Sequence, residues 1–259
     1  MTNVIDRLEA YMDGEPLTAI HRGIYITGIE HSPAQADTRT AALANRHGET
    51  LIDRRMREAS TEISFIINAG SIAERQEVCQ KIAGWANGSI LQTSDRRGQQ
   101  LRCVCTEVPK IGEVMNRAEE ITARFTAYEQ PFWEEKIPSV LSLSGTSKEG
   151  NLFVPGNTGR AYVEVTVTPA SGTVNTITLT VGETMIRFLN LGATAANPLR
   201  IYYDDHMIQK ITVGSASALN KRTAASNDDL LAVCGKINTF GYVADGNVNV
   251  TFTARGLWL

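Results

Sequence analysis

The sequence predicts a mainly β protein with one principal helix, an α+β fold in two modules. Three observations carry this. Runs that alternate apolar and polar residues, the period of a half-buried strand, occur in both halves of the chain. A single apolar stripe at three-to-four spacing follows Ser71 and stops at Asn87-Gly88. From Pro138 the composition shifts to Ser, Gly, Pro and Asn, and beyond that stretch the pattern is β alone. The expected division is a sheet-and-helix module at 1–137, a linker at 138–159, and a β-sandwich at 160–259.

In chain order, Asn3 is suited to cap a short helix over 3–12 with Val4, Ile5, Leu8 and Met12 on one side. Asp13-Gly14 and Pro16 would end it. A strand follows Gly23, with Ile24, Ile26 and Gly28 facing one way and Tyr25, Thr27 and Ile29 the other. Residues 31–48 are polar and alanine-rich, which suits an extended arm held by a neighbour. His47-Gly48 makes a turn into strands at 51–56 and 61–68, the second placing Ile63, Phe65 and Ile67 on one face. Ser71-Ile-Ala-Glu74 reads as a capping box, opening a helix with Ile72, Cys79, Ile82, Ala83, Trp85 and Ala86 on its apolar side. Strands at 90–93, 100–108 and 119–128 follow, the first two joined by the turn Asp95-Arg-Arg-Gly98. In the second half, short alternating runs at 162–167, 176–181, 184–189, 199–203, 209–213 and 248–254 are separated by turn formers, including Asp245-Gly246. Strands at roughly 10-residue spacing point to a sandwich.

The formal charge is −3 over 259 residues, which gives no reason to expect nucleic acid as a partner, since such binding relies on clustered Lys and Arg against phosphates. Residues 1–135 hold 15 Lys and Arg against 20 Asp and Glu, and residues 136–259 hold 10 against 8. No basic start leads into an apolar run, and no apolar run nears the ~20 residues of a membrane-spanning helix, so neither a signal peptide nor membrane insertion is expected. Four scattered cysteines make no disulfide framework and are expected as free thiols.

The familiar catalytic and cofactor motifs are missing. Gly145-Thr-Ser-Lys148 lacks the spacing and strand-to-helix context of a phosphate loop and reads as linker. Cys103-Val-Cys105 has no second Cys or His pair nearby to complete a zinc site. Asp204-Asp205 and Asp228-Asp229 stand where turns are expected. Arg54, Arg55 and Arg57 suit a partner's carboxylates or a charged sheet edge equally well. The expectation is no catalytic residue, no metal, no cofactor and no enzyme.

Several motifs together resemble the distal tail proteins of long, non-contractile-tailed bacteriophages. They are Gly23-Ile-Tyr-Ile26, the turn Asn45-Arg-His-Gly48 into Leu51-Ile-Asp53, and the strand Ile63-Ser-Phe-Ile-Ile67. The helix end Lys81-Ile-Ala-Gly-Trp85, the stop Pro131-Phe-Trp-Glu134 and the closing strand at 248–255 complete the set. The family's usual turn, Gly-Arg-Asp-Gly, is changed here, and an N-terminal helix departs from its pattern. The resemblance implies an N-terminal split-barrel sheet with its packed helix and a C-terminal galectin-like sandwich. It further implies a homo-oligomeric hexameric ring, a hub joining the tail tube protein to a tail-associated lysin or tip protein, and contact with a receptor-binding protein or host glycan. The place would be the virion tail tip, after assembly in the host cytoplasm. A closed ring needs two different complementary faces per protomer, and Arg39, Arg46, Arg54, Arg55 and Arg57 are the candidate interface residues. The alternatives are a carbohydrate-binding module using Tyr202, Tyr203, Tyr242 or Trp258, and a glycoside hydrolase using Asp204 or Asp228.

Overall fold

The computed structural model describes residues 7–42, 49–108 and 120–259, apart from the side chains of residues 42, 49, 50 and 54. The chain divides into two compact units, Met1–Trp133 with Leu259, and Glu134–Trp258. It is mainly β with one principal helix, as its alternation predicts.

The first unit holds strands β1 (Ala10–Met12), β2 (Glu15–Pro16), β3 (Ile24–Ser32), β4 (Ala36–Ala42), β5 (Glu49–Met56) and β6 (Ala59–Ile67). After them come β7 (Ile90–Thr93), β8 (Gln99–Arg102), β9 (Val104–Glu107) and β10 (Glu120–Ala127). Helices α1 (Leu17–Ile20) and α2 (Ile72–Ala86) interrupt them. One sheet runs β3-β6-β10-β9, a second contains β2-β1-β7-β8, and among the described residues β4 and β5 pair only with each other.

Helix α2 covers the inner face of the first sheet, where Ile63, Phe65, Ile67, Ala123 and Phe125 are buried. Val78, Cys79, Ile82, Trp85 and Ala86 form its buried side, and the Trp85 ring meets Phe125 edge-on at 5.9 Å. Ile72 of the predicted stripe is exposed, and Val78 takes the inward place. The predicted cap holds in part. Ser71 Oγ accepts from Glu74 N at 3.1 Å, but Glu74 Oε2 accepts from Gly70 N rather than from Ser71.

Several expected elements differ. The proposed helix at 3–12 is replaced at its described end by β1, because Ala10 and Met12 are buried opposite Thr93 and Leu91. The predicted arm at 31–48 begins with the end of β3 and the whole of β4, so it is largely strand. A bulge at Thr27 shifts the register, so Ile29 lies opposite Ile63 on the same face as Ile24 and Ile26. The single strand expected at 100–108 is two, β8 and β9, in different sheets and broken at the buried Cys103.

The second unit is built on a ribbon. Strand β11 (Trp133–Glu135) leads into β12 (Ser139–Val154), 16 residues long, paired along its length with β22 (Lys236–Ala254). The linker expected at 138–159 is therefore mostly strand: its serines and glycines sit on an exposed ladder instead of a free connection. Between the ribbon's two strands come β13 (Arg160–Pro169), β14 (Thr173–Val174), β15 (Ile177–Val181), β16 (Thr184–Phe188), β17 (Ala193–Thr194), β18 (Leu199–Tyr203), β19 (Gln209–Val213), β20 (Ala216–Ser217) and β21 (Leu231–Val233). β23 (Leu257–Trp258) closes the unit.

β22 pairs with β15 through residues 240–244 and with β13 through 248–254. The rings of Phe240 and Phe252 meet at 5.3 Å. Twelve residues of straight strand would span ~40 Å, so the ribbon must bend between them. It bends at Asp245-Gly246, the predicted turn, while Asp245 accepts from Asn175 N and Thr176 N, and β12 carries a matching irregularity at 145–147. One nine-stranded sheet thus supplies both layers around a core of Val163, Val165, Leu179, Ile186, Phe188 and Val250.

Candidate assembly surfaces

The β4–β5 hairpin is a two-stranded ribbon with neither outer edge paired among the described residues. Such a ribbon alone in water is marginally stable. Its register sets Asp37 opposite Arg55 and Arg39 opposite Asp53, four alternating charges on one face. Arg55 Nε reaches Asp53 at 2.8 Å, and Arg57 reaches Asp37 at 3.1 Å. Arg55 nevertheless keeps 82% of its side chain exposed, so the pair is worth at most about 1 kcal/mol and leaves the guanidinium available. Arg46 and the Arg54 side chain lie outside the described residues.

A register shift after Arg39 leaves one extra residue in β5, and there Leu51 and Ile52 are 55% and 58% exposed. Attention to charge alone misses this apolar pair. Two adjacent exposed aliphatics, which alternation should have separated, were the available signal.

The first sheet shows the same open character. Among the described residues β3 and β9 form its unpaired edges, and its outer face is polar: Tyr25, Thr27, Glu62, Ser64, Glu120, Thr122 and Arg124. Ser64 and Thr122 share a hydrogen bond at 3.3 Å, and Arg124 approaches Glu62 at 3.5 Å.

The aromatics proposed for glycan contact part company. Tyr242 is 2% exposed and its hydroxyl donates to Gly145 O, so it belongs to the bend of the ribbon and cannot offer a ring to a sugar. Tyr203 stacks on Tyr162 at 4.7 Å and donates to Asp229 Oδ1 at 2.8 Å. Burial, with Asp229 next, pushes the Tyr203 phenol well above its ordinary range. Tyr202 is 39% exposed. Trp258 donates to Glu135 Oε1 at 2.8 Å. Asp204 ties its own loop, accepting from His206 N and Ile208 N, and Asp228 pairs with Arg222. The two acids named for a hydrolase are thus separately engaged. Among the described residues no group of three His, Cys, Asp or Glu could hold a metal, and no helix is long and apolar enough to cross a membrane.

No protein-family model matches the chain, and no curated protein matches it. Solved structures do. The SPP1 Dit (gp 19.1) protein, described as a paradigm of the hub adsorption apparatus in Gram-positive infecting phages, superposes with a TM-score of 0.68 at 12% identity over 96% of this chain and 98% of that one. The chain has the SPP1 Dit fold. Two structures of the phage P2 baseplate in its activated conformation, with Ca and with Sr, give TM-scores of 0.52 and 0.51 at 7% identity, each covering 96% of this chain and 97% of the other. What is shared at such identity is the order and packing of elements, carried by patterning and not by particular side chains.

Proposed function

We propose that this protein is a structural hub of a phage tail, a homo-oligomeric ring between the tail tube and the tip or adsorption apparatus. The observation that carries the reading is the match to the SPP1 Dit fold along 96% of the chain. Among the described residues the first unit adds two unpaired sheet edges and a hairpin paired only with itself. Unpaired edges invite pairing with another chain, and a closed ring gives every one of them a neighbour. Ring formation belongs to the first unit in this reading, with the arm and Arg39, Arg55 and Arg57 at the contact between subunits. The second unit carries the contact with a receptor-binding protein or the host surface. The role is structural, not catalytic. Six copies, a tail tube protein and a tail-associated lysin as neighbours, and a place at the virion tail tip after assembly in the host cytoplasm complete the proposal.

Negative-stain electron microscopy of the purified full chain tests it. Rings with a central channel are expected, and light scattering should give about six times the 28.3 kDa chain mass. A strict monomer at high concentration, with or without the tail tube protein, would sink the ring.

A further inference from the structure

Tyr162, Tyr203, Gln209 and Asp229 come together at one end of the second unit's sheet. β13 sets Tyr162 opposite Leu231, two residues beyond Asp229, and the β18–β19 hairpin sets Tyr203 opposite Gln209. Val163 N donates to Leu230 O at 3.0 Å, which ties the Asp229 segment to β13. The Tyr162 and Tyr203 rings meet at 4.7 Å with their planes tilted by 47°, and Tyr162 remains 40% exposed.

The hydrogen bonding at this cluster is one-sided. Asp229 Oδ1 accepts from the Tyr203 hydroxyl at 2.8 Å and from Gln209 Nε2 at 3.2 Å. Among the described residues Asp229 Oδ2 and Gln209 Oε1 receive no donor, and no cation pairs with Asp229. The basic side chains nearest in chain and register have acids of their own: Lys210 holds Asp204 at 3.2 Å, and Arg222 holds Asp228 at 3.1 Å. Tyr162 feels the uncompensated charge, its phenol held above the ordinary range by burial first and by Asp229 second.

What the cluster has to spare is two acceptors, one of them charged, beside an exposed ring. That set fits a cation with N–H donors, whose charge the ring face also attracts. A guanidinium grips a carboxylate through both oxygens. Oδ1 is already used twice here, so the single free oxygen favours a compact ammonium. We propose that this cluster binds a primary ammonium group on a methylene stem, as in a lysine side chain, its nitrogen donating to Asp229 Oδ2 and Gln209 Oε1 and its stem lying on the Tyr162 ring. The inference goes beyond the hub reading and does not rest on it: ammonium binding and ring formation are measured separately, so either can fail alone.

The test is saturation-transfer NMR on the full chain with Nα-acetyl-lysine amide as the probe, against its Nε-acetylated form and glucosamine. The lysine derivative should bind at least tenfold more tightly than the Nε-acetylated form and more tightly than glucosamine. Asp229→Asn, which keeps the shape and an acceptor for Tyr203, should weaken it about tenfold, the scale of one charged hydrogen bond. Tyr162→Ala should weaken it about threefold, the scale of an exposed cation–ring contact. Glu183→Gln, an exposed acid elsewhere in the second unit, should change nothing. No binding of the probe, equal binding of the two lysine derivatives, or wild-type binding by an Asp229→Asn variant with native circular dichroism would overturn the proposal. So would an equal loss in Glu183→Gln, which marks general attraction to an acidic chain, and so would tighter binding of glucosamine, which marks an amino-sugar site.

Discussion

At the scale of single residues, the first unit depends on Trp85. Its ring packs edge-on against Phe125 and its Nε1–H donates to Glu15 O at 2.8 Å, fixing the helix to β2. Trp85→Ala should lower stability by ~3–5 kcal/mol, the range for truncating a buried aromatic. Trp85→Phe should lose only about 1 kcal/mol with the hydrogen bond. Urea unfolding followed by far-UV circular dichroism distinguishes the two. Cys103 gives a pH dependence. Burial pushes its thiol from 9.0 up to about 12. Above pH 9 the unfolded chain has lost that proton while the folded chain keeps it. The stability contributed is therefore complete below pH 9 and declines as pH rises from 9 toward 12. The urea midpoint should fall between pH 8 and pH 10.5, and less steeply for Cys103→Ala; an unchanged fall would remove the assignment. The sequence placed Trp85 on the apolar side of its helix and Cys103 among the expected free thiols. It could not show their partners, since Glu15 and Trp85 stand 70 residues apart.

At the scale of elements, two glycines make opposite predictions. Gly84 lies inside α2, and a Cβ there would meet nothing within 4 Å. Gly84→Ala should stabilise by about 0.5–1 kcal/mol through helix propensity and a less free unfolded chain. At Gly23 a Cβ would stand 1.9 Å from Asn68 O, where β3 and the end of β6 cross. Gly23→Ala must move backbone and should cost on the order of 2 kcal/mol, as overpacking does. Thermal melts of the two variants against the parent should shift in opposite directions. Helix α2 was legible because cap, stripe and terminating Asn-Gly are all local. β12 was not: its middle, Ser144 to Asn151, is polar and glycine-containing, carries little β pattern and is held by its partner β22. The described end of the short helix predicted at 3–12 is strand for the same reason in reverse, since burial of Ala10 and Met12 against β7 overrode a local helical spacing.

At the scale of the whole molecule, the hairpin arm offers the cleanest separation of folding from assembly. Ala36 and Met56 face each other in register, so the arm's ends lie about 5 Å apart. Replacing residues 36–56 with a short Gly-Ser link should leave the melting profile nearly unchanged, because among the described residues the arm pairs with no other strand. In the hub reading the same deletion abolishes rings, and Arg55→Glu with Arg57→Glu weakens them in a salt-dependent way. Light scattering and micrographs read both. Rings persisting in the deletion variant would move the subunit contact to the β3 and β9 edges.

What the sequence determined by itself was the class of the molecule: alternation in both halves, one capped helix, a change of texture near Pro138, and no catalytic constellation. These are properties of period and local chemistry, which neighbouring residues set among themselves. Only the tertiary structure decided the rest. It made the apparent linker a strand and the Asp245-Gly246 turn the bend that folds one sheet into two layers. It took Tyr242 out of reach of any sugar. Each of those depends on residues far apart in the chain meeting in space, and pairing at that distance is fixed by burial and register, which no local pattern contains.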